Sequence, residues 1–318
     1  FTLNGIYSTM QSSGAYSGRL VYYGDVTGDD MQAVSSTKRV ANYYRFNFTK
    51  DDNPSSHWSY LYSIIQNCNL ILMNIDKLVI DEDDKAYRDD LKGEALAIRG
   101  LALFDLTRIF GYPYLKDDGA SLGVPIIEGL STIDSKPTRN TVAQCYTKII
   151  DDLTQSLSLL GEKFNKGKIN KWGAMVLLSR VYLYKGENAN ALKMASDAII
   201  GAEKNKYALW TNEDYPTAWG EDASASKPGE VLFEIVNLTT DSPGKESMGY
   251  LNSYDGYDDM CITCSFYQFL KEDPKDIRLK LLSFDKKYYA YVNKYQPQRE
   301  ENIEDANIPL IRLSEAYL

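Results

Sequence analysis

One histidine, His57, stands in a chain of 318 residues. A metal centre built on several histidines, or a catalytic dyad of two, is thereby excluded. Cations are also in short supply: 35 Lys and Arg face 44 Asp and Glu, a net charge of −9. Nucleic-acid binding needs a positive field, and no run of Lys and Arg supplies one locally, so no nucleic-acid partner is expected. An unbroken apolar run of roughly 18 residues, the length of a membrane-spanning helix, is missing too. The best stretch, LYSIIQNCNLILMNIDKLVI, is interrupted by Gln66, Asn67, Asn69, Asn74 and Asp76. No signal peptide opens the chain, which starts on Phe1 and reads as a trimmed or mature fragment. Cysteine is sparse, with four residues. Cys68 and Cys145 lie on apolar helical faces and read as buried thiols. Cys261-Ile-Thr-Cys264 is a lone C-x-x-C. A zinc site wants a second pair or nearby histidines, so free thiols or a local disulfide are expected there, with no metal and no cofactor.

What is abundant is tyrosine, 25 residues, much of it in polar, glycine-containing stretches. A tyrosine offers a flat apolar face and a hydroxyl, which suits a binding surface. Helical periodicity dominates the rest. Trp58, Leu61, Ile64, Ile65, Cys68, Leu72 and Ile75 share one side of 57–77, and Val142, Cys145, Ile149, Leu153, Leu157 and Leu160 share one side of 142–160. Thr141 and Gln144 form a capping box at the start of the latter. Further helices are expected over 2–13, 93–110, 171–185 and 188–203. EVLFEIVN (230–237) is the best strand, with Val231, Phe233 and Ile235 alternating against polar or smaller neighbours. The segments 112–138, 207–229 and 238–260 read as long loops whose aromatic content argues against disorder.

In KWGAMVLLSRVYLYKGENANALKMASDAII the positions of Ser179, Tyr182, Gly186, Ala191 and Ala198 match a tetratricopeptide repeat: small residues where antiparallel helices meet, an aromatic plug and a glycine turn. GEALAIRGLALFDLTRIFGYPYL (93–115), with 142–160, makes a second and looser pair. There Ala95, Ala97, Gly100 and Ala102 allow close helix approach. Glu94 and Arg99 are expected to bond across helices or to loop backbone, because isolated buried charge is costly. Asp105 and Arg108 are either a solvated i, i+3 pair or part of a structural network. The fold class expected is mostly α: tetratricopeptide-like helical pairs forming a right-handed superhelical scaffold, with long irregular loops and minor β.

In order along the chain, LNGIYSTM, the acidic loop GDVTGDD (24–30), HWSYLYSIIQNCNLIL, GEALAIRGLALFDLTRIFGYPYL, TVAQCYTKIIDDL, KWGAMVLLSRVYLYKG and IPLIRLSEAYL (308–318) resemble the motifs of the SusD/RagB family of bacterial outer-membrane nutrient-binding lipoproteins. Gly100 stands where the family usually has Ala, and Tyr112-Pro113-Tyr114 replaces the usual ending of that helix. The resemblance implies a single SusD-like domain over 1–318, without the family's lipidated N-terminal Cys and with family chains continuing beyond the last motif. It further implies surface exposure on the outer membrane through that lipid anchor alone. The implied function is binding of an oligosaccharide, or in some members a peptide, and its delivery to a SusC-like TonB-dependent transporter.

A sugar ring has an apolar face and a hydroxyl rim, and its site pairs aromatic platforms with carboxylates and amides. The loop GYLNSYDGYDDM (249–260) supplies Tyr250, Tyr254 and Tyr257 with Asn252, Asp255, Asp258 and Asp259, and the acidic loop supplies Asp25, Asp29, Asp30 and Gln32. By position these stretches correspond to ligand-binding regions of the family. The competing reading makes the tyrosines a cap on the helical core and the aspartates solvated turn residues. A glycosidase would need two carboxyls held roughly 5–9.5 Å apart with separated pKa values, and the many acidic pairs single none out, so no enzyme activity is expected. A pure tetratricopeptide scaffold would leave the tyrosine-rich loops idle. Trp210, Tyr215 and Trp219 read as anchors that pack a loop.

Overall fold

The computed structural model describes residues 2–49, 54–132, 134–220, 228–238, 240–285, 287, 289–297 and 302–318. Helices carry the architecture: α1 (Thr2–Gln11), α2 (Arg19–Thr27), α3 (Ala41–Tyr44), α4 (Pro54–Leu72), α5 (Lys85–Phe110), α6 (Val142–Leu159), α7 (Lys171–Lys185), α8 (Asn188–Lys204), α9 (Met248–Leu251), α10 (Cys264–Lys271) and α11 (Leu313–Tyr317). Short strands join them: β1 (Met31–Ala33), β2 (Val231–Ile235), β3 (Met260–Ile262), β4 (Leu282–Phe284), β5 (Ala290–Val292) and β6 (Ile308–Arg312). The strands make antiparallel pairs, β1 with β3, β2 with β6 and β4 with β5. The fold is mostly helical with minor β, as expected.

The long helices run antiparallel in sequence. A Cβ on Gly14 would meet the Tyr60 ring, and Leu3 and Ile71 line one cleft, so α1 descends along α4. Trp58 meets Phe110 while Asn69 meets Arg99, which orients α4 against α5. Small residues set the spacing of α5 against α6: a Cβ on Gly100 would lie 3.1 Å from Leu153, and one on Gly93 2.9 Å from Leu160. The capping box of Thr141 and Gln144 starts α6. Between α7 and α8 the chain turns at Gly186, whose φ of 84° only glycine adopts without strain. The Ser179 hydroxyl then donates to the Ala191 carbonyl at 2.8 Å, with Ala191 and Ala198 buried at the contact. The repeat register is the packing register.

The charges on α5 are structural. Arg99 is buried and donates to both oxygens of Asp152 on α6, at 2.7 and 2.6 Å, and to Asn69 on α4 at 2.8 Å. Glu94 accepts from the Tyr7 hydroxyl of α1. Asp105 is buried, not solvated; it accepts from Tyr16 at 2.7 Å and from Arg108, whose guanidinium lies over the Phe104 ring. The network reading of that pair holds.

Strand β2 departs from the expected alternation. All five of its residues are buried, including Glu234, which accepts from Asn307 at 3.1 Å. Both faces are covered because β2 packs on α7 and α1 while β6, the IPLIR motif, closes its edge. Cys68, Cys145 and Cys261 are buried and Cys264 is exposed, all as free thiols. Trp210, Tyr215 and Trp219 pack edge-to-face at 4.9–6.2 Å, with Trp219 buried, so they anchor their loop. The 221–227 part of that loop lies outside the described residues.

Candidate functional site

A short antiparallel ladder links two stretches distant in sequence, with the tyrosine loop at one end and the acidic loop at the other, so Asp29 and Asp30 are not brought onto the tyrosines. Met31 pairs with Ile262, Gln32 with Cys261 and Ala33 with Met260. The ladder extends at both ends: the Val34 amide donates to the Asp259 carbonyl at 3.2 Å, and the Thr263 amide and hydroxyl donate to the carbonyls of Asp30 and Asp29 at 2.9 and 2.8 Å. The tyrosine loop is itself folded. Ser247 caps the single turn of α9, and the loop closes on the Tyr257 amide donating to the Tyr250 carbonyl at 3.0 Å. Gly256 sits against that carbonyl so closely that a Cβ would lie 2.0 Å from it.

This fold presents aromatic surface rimmed by charge. The rings of Tyr250 and Tyr257 meet edge-to-face at 4.9 Å, both half-buried. Tyr254 is exposed, with its ring 6.0 Å from Tyr291. Two cations that sequence reasoning overlooked complete the cluster. Arg39 stacks over the Tyr257 ring at 4.0 Å and reaches Asp259 and Glu246, each at 3.4 Å. Lys38 donates to the Tyr257 carbonyl at 2.6 Å and lies 3.8 Å from Asp258. Asp258 also accepts from the Tyr291 hydroxyl. Burial raises the Asp259 carboxyl above its ordinary value, and the two cations hold it back.

The predicted residues divide into outward and inward. Tyr254, Asp255, Asp29 and Asp30 are exposed, and Tyr250 and Tyr257 are half-exposed at the rim. Asn252 is buried and donates to the Val292 carbonyl at 2.6 Å, tying the loop to β5 rather than facing outward. Burial raises the Asp25 carboxyl above its ordinary value, and the positive charge of Lys294 offsets this in part. Gln32 stays in the ladder, 3.4 Å from the Ile262 carbonyl.

More was missed just after β1. In YYRFNF (43–48) Phe46 is 64% exposed at a φ of 53°, and Tyr44 and Phe48 are also exposed. The segment starts four residues after Arg39, and α3 packs on α2 and β1. Asp258 shares the left-handed conformation, with a φ of 55°. Asp118 and Lys206, away from this face, hold the same left-handed conformation, so the backbone alone does not mark the site. The signal available in the sequence was an aromatic cluster between a loop and a helix with no helical period of its own.

Three clefts lie away from this face. One of about 630 Å³ separates α4 from the 125–137 loop, one of about 510 Å³ lies where α1 meets the ends of α4 and α5, and one of about 420 Å³ lies between α1 and β2. None includes a residue of 25–32 or 249–260. Among the described residues no group of His, Cys, Asp and Glu could hold a metal ion, and no helix is long and apolar enough to cross a membrane.

Residues 3–183 match the SusD-like family model described as "starch-binding associating with outer membrane". A solved structure of a proposed sugar-binding protein from Bacteroides vulgatus is 83% identical, with a TM-score of 0.97 over 100% of this chain and 71% of its own. A SusD superfamily protein from Bacteroides thetaiotaomicron is 36% identical, with a TM-score of 0.91 over 99% of this chain and 73% of its own. A SusD-like protein from Bacteroides ovatus is 28% identical over 135 residues, 42% of this chain and 23% of that relative's length. With the family motifs in order, more than half of this chain matched by the family model and the fold shared throughout, the chain belongs to the SusD-like family.

Proposed function

We propose that the protein binds oligosaccharide at the face formed by the tyrosine loop, the β1–β3 ladder and the 38–48 segment. The observation that carries this is one folded loop that holds the exposed ring of Tyr254, against Tyr291, and the half-buried Tyr250–Tyr257 pair, with Arg39 and Lys38 at Tyr257 and Asp258. Rings of this kind stack on the apolar face of a sugar while the rim exchanges hydrogen bonds with its hydroxyls. The family description and the sugar-binding role proposed for the 83% identical relative agree with this reading. Hydroxyls trade water for protein with little net gain, so the affinity is modest, with Kd roughly micromolar to millimolar. We further propose that the protein works at the outer membrane, held by a lipid anchor and seated on a SusC-like TonB-dependent transporter that receives the glycan. Catalysis plays no part in this role. A glycan array followed by calorimetry on the best hit tests the binding. Tyr254→Ala is expected to weaken the hit about tenfold, about 1.4 kcal/mol; an array with no hit refutes the reading.

A further inference from the structure

We propose that the cleft between α4 and the 125–137 loop is a second binding site, for a neutral carbohydrate, separate from the tyrosine face. One stripe of α4 lines it: Trp58, Tyr62, Gln66 and the smaller Ser59, Ser63 and Asn67. These positions recur at helical spacing, and Leu61, Ile64, Ile65 and Cys68 face the core instead. Across the gap stand prolines, Ile127 and the hydroxyls of Ser131, Thr132 and Ser135. None of these lining residues carries a charge, in a chain that is 25% charged. A charged ligand would surrender hydration there without a partner. A sugar finds aromatic rings, amides and hydroxyls, in a volume within the range of about 300–1,000 Å³ usual for small-molecule sites.

The wall is built rigidly. The Tyr62 hydroxyl donates to the Pro125 carbonyl at 2.7 Å. Gln66 and Ser131 bond reciprocally, side-chain amide to hydroxyl at 2.8 Å and backbone amide to carbonyl oxygen at 3.1 Å. Deeper in, the buried Asn69 amide donates to the carbonyls of Ile127 and Gly129 at 2.8 and 3.0 Å, and its oxygen is held by Arg99. The Arg99–Asp152 pair thus fixes the loop as well as the helices. The Trp58 ring is braced edge-to-face by Phe110 at 5.0 Å and tilted against Tyr62 at 4.9 Å. A preformed site of this kind loses little entropy on binding.

Calorimetry on the full chain with maltoheptaose, laminarihexaose and cellohexaose tests the proposal. The background is the combined variant Tyr250→Ala, Tyr254→Ala, Tyr257→Ala, so that the loop face is disabled. At least one probe is expected to bind, and adding Ser63→Arg, an exposed position that fills the cleft, should weaken it at least about tenfold. Trp58→Ala should do the same, with far-UV circular dichroism confirming the fold of both. Binding left unchanged by Ser63→Arg overturns the second site, as does the absence of binding by every probe up to about 10 mM. So does retention of a proline-rich decapeptide in place of the sugars. Failure of the tyrosine face reads differently: the triple variant then matches the wild type while Ser63→Arg alone removes binding.

Discussion

The layer α4–α8 and the face built from 25–48 and 249–263 differ in how far they expose their charges and rings, although Asp259 on the face is buried and paired with Arg39 too. In the layer, charges are buried and paired: Arg99 with Asp152, Asp105 with Arg108 and Tyr16. Small residues bring the helices close enough for those bonds to form. On the face, Arg39 stacks in the open over Tyr257, Tyr254 projects outward, and Phe46 and Asp258 hold left-handed backbone. Those arrangements cost conformational energy and bury little. One region holds the molecule together, and the other uses that stability to keep aromatic surface exposed.

The sharpest break in the contrast is within the layer. Asp152→Ala strands a buried guanidinium and should cost about 3–5 kcal/mol by denaturant unfolding; a loss below about 1 kcal/mol would put the weight of the network elsewhere. Next comes Gly201→Ala, whose Cβ would lie 2.1 Å from the Trp172 ring. Overpacking of this kind costs about 1–3 kcal/mol, and an unshifted melt would mean that the ring simply moves aside.

Two buried titratable groups of the helical layer, Glu94 on α5 and His57 on α4, respond to pH with opposite sign. Burial lifts Glu94 to about 7 from 4.5, even with Tyr7 and Lys168 favouring its charge. The native state therefore binds that proton more tightly, and the associated stability is complete below pH 4.5 and lost as pH rises through 7. Burial lowers His57, which stacks on Tyr43 beneath the aromatic segment, to about 4 from 6.5. Its contribution is complete above pH 6.5 and lost as pH falls toward 4. Glu94→Gln should flatten the stability profile on the neutral side and His57→Asn on the acid side, each by about 1–2 kcal/mol. Parallel profiles for variant and wild type would contradict these assignments. The smallest effect is expected at the face: Tyr254→Ala should change stability by no more than about 0.5 kcal/mol.

The same contrast explains what the sequence made legible. Helical period and small-residue spacing are local, repeated signals, so α6, α7 and α8 were readable nearly to their ends, whereas α4 stops at Leu72, short of the expected 77, and Arg99 was readable as a cross-helix bond or a bond to loop backbone. That Asp152 and Asn69 would be its partners depends on which helices pack together, which no local pattern states. The tyrosine loop was readable by composition and the acidic loop by motif. That β1 and β3 would pair and hold the two loops at opposite ends of one ladder was not, because three-residue strands leave almost no alternation to detect. Asn252 shows the limit of composition: an amide among tyrosines suits a sugar, yet here it ties the loop to β5. Arg39 lies distant in sequence from the tyrosine loop and signals nothing until the ladder brings it to Tyr257.

The central claim is that the face binds glycan and the helices carry the stability. The direct test is paired calorimetry and thermal unfolding of the Tyr250→Ala, Tyr254→Ala, Tyr257→Ala variant, using the best array hit. Losing the Tyr250–Tyr257 ring pair should cost about 0.5–1.5 kcal/mol, a melt lowered by a few degrees on the order expected for a chain of this size, with binding at the face reduced beyond detection. Wild-type affinity in the triple variant would contradict the claim, and so would loss of the folded state, which would make the tyrosines part of the core.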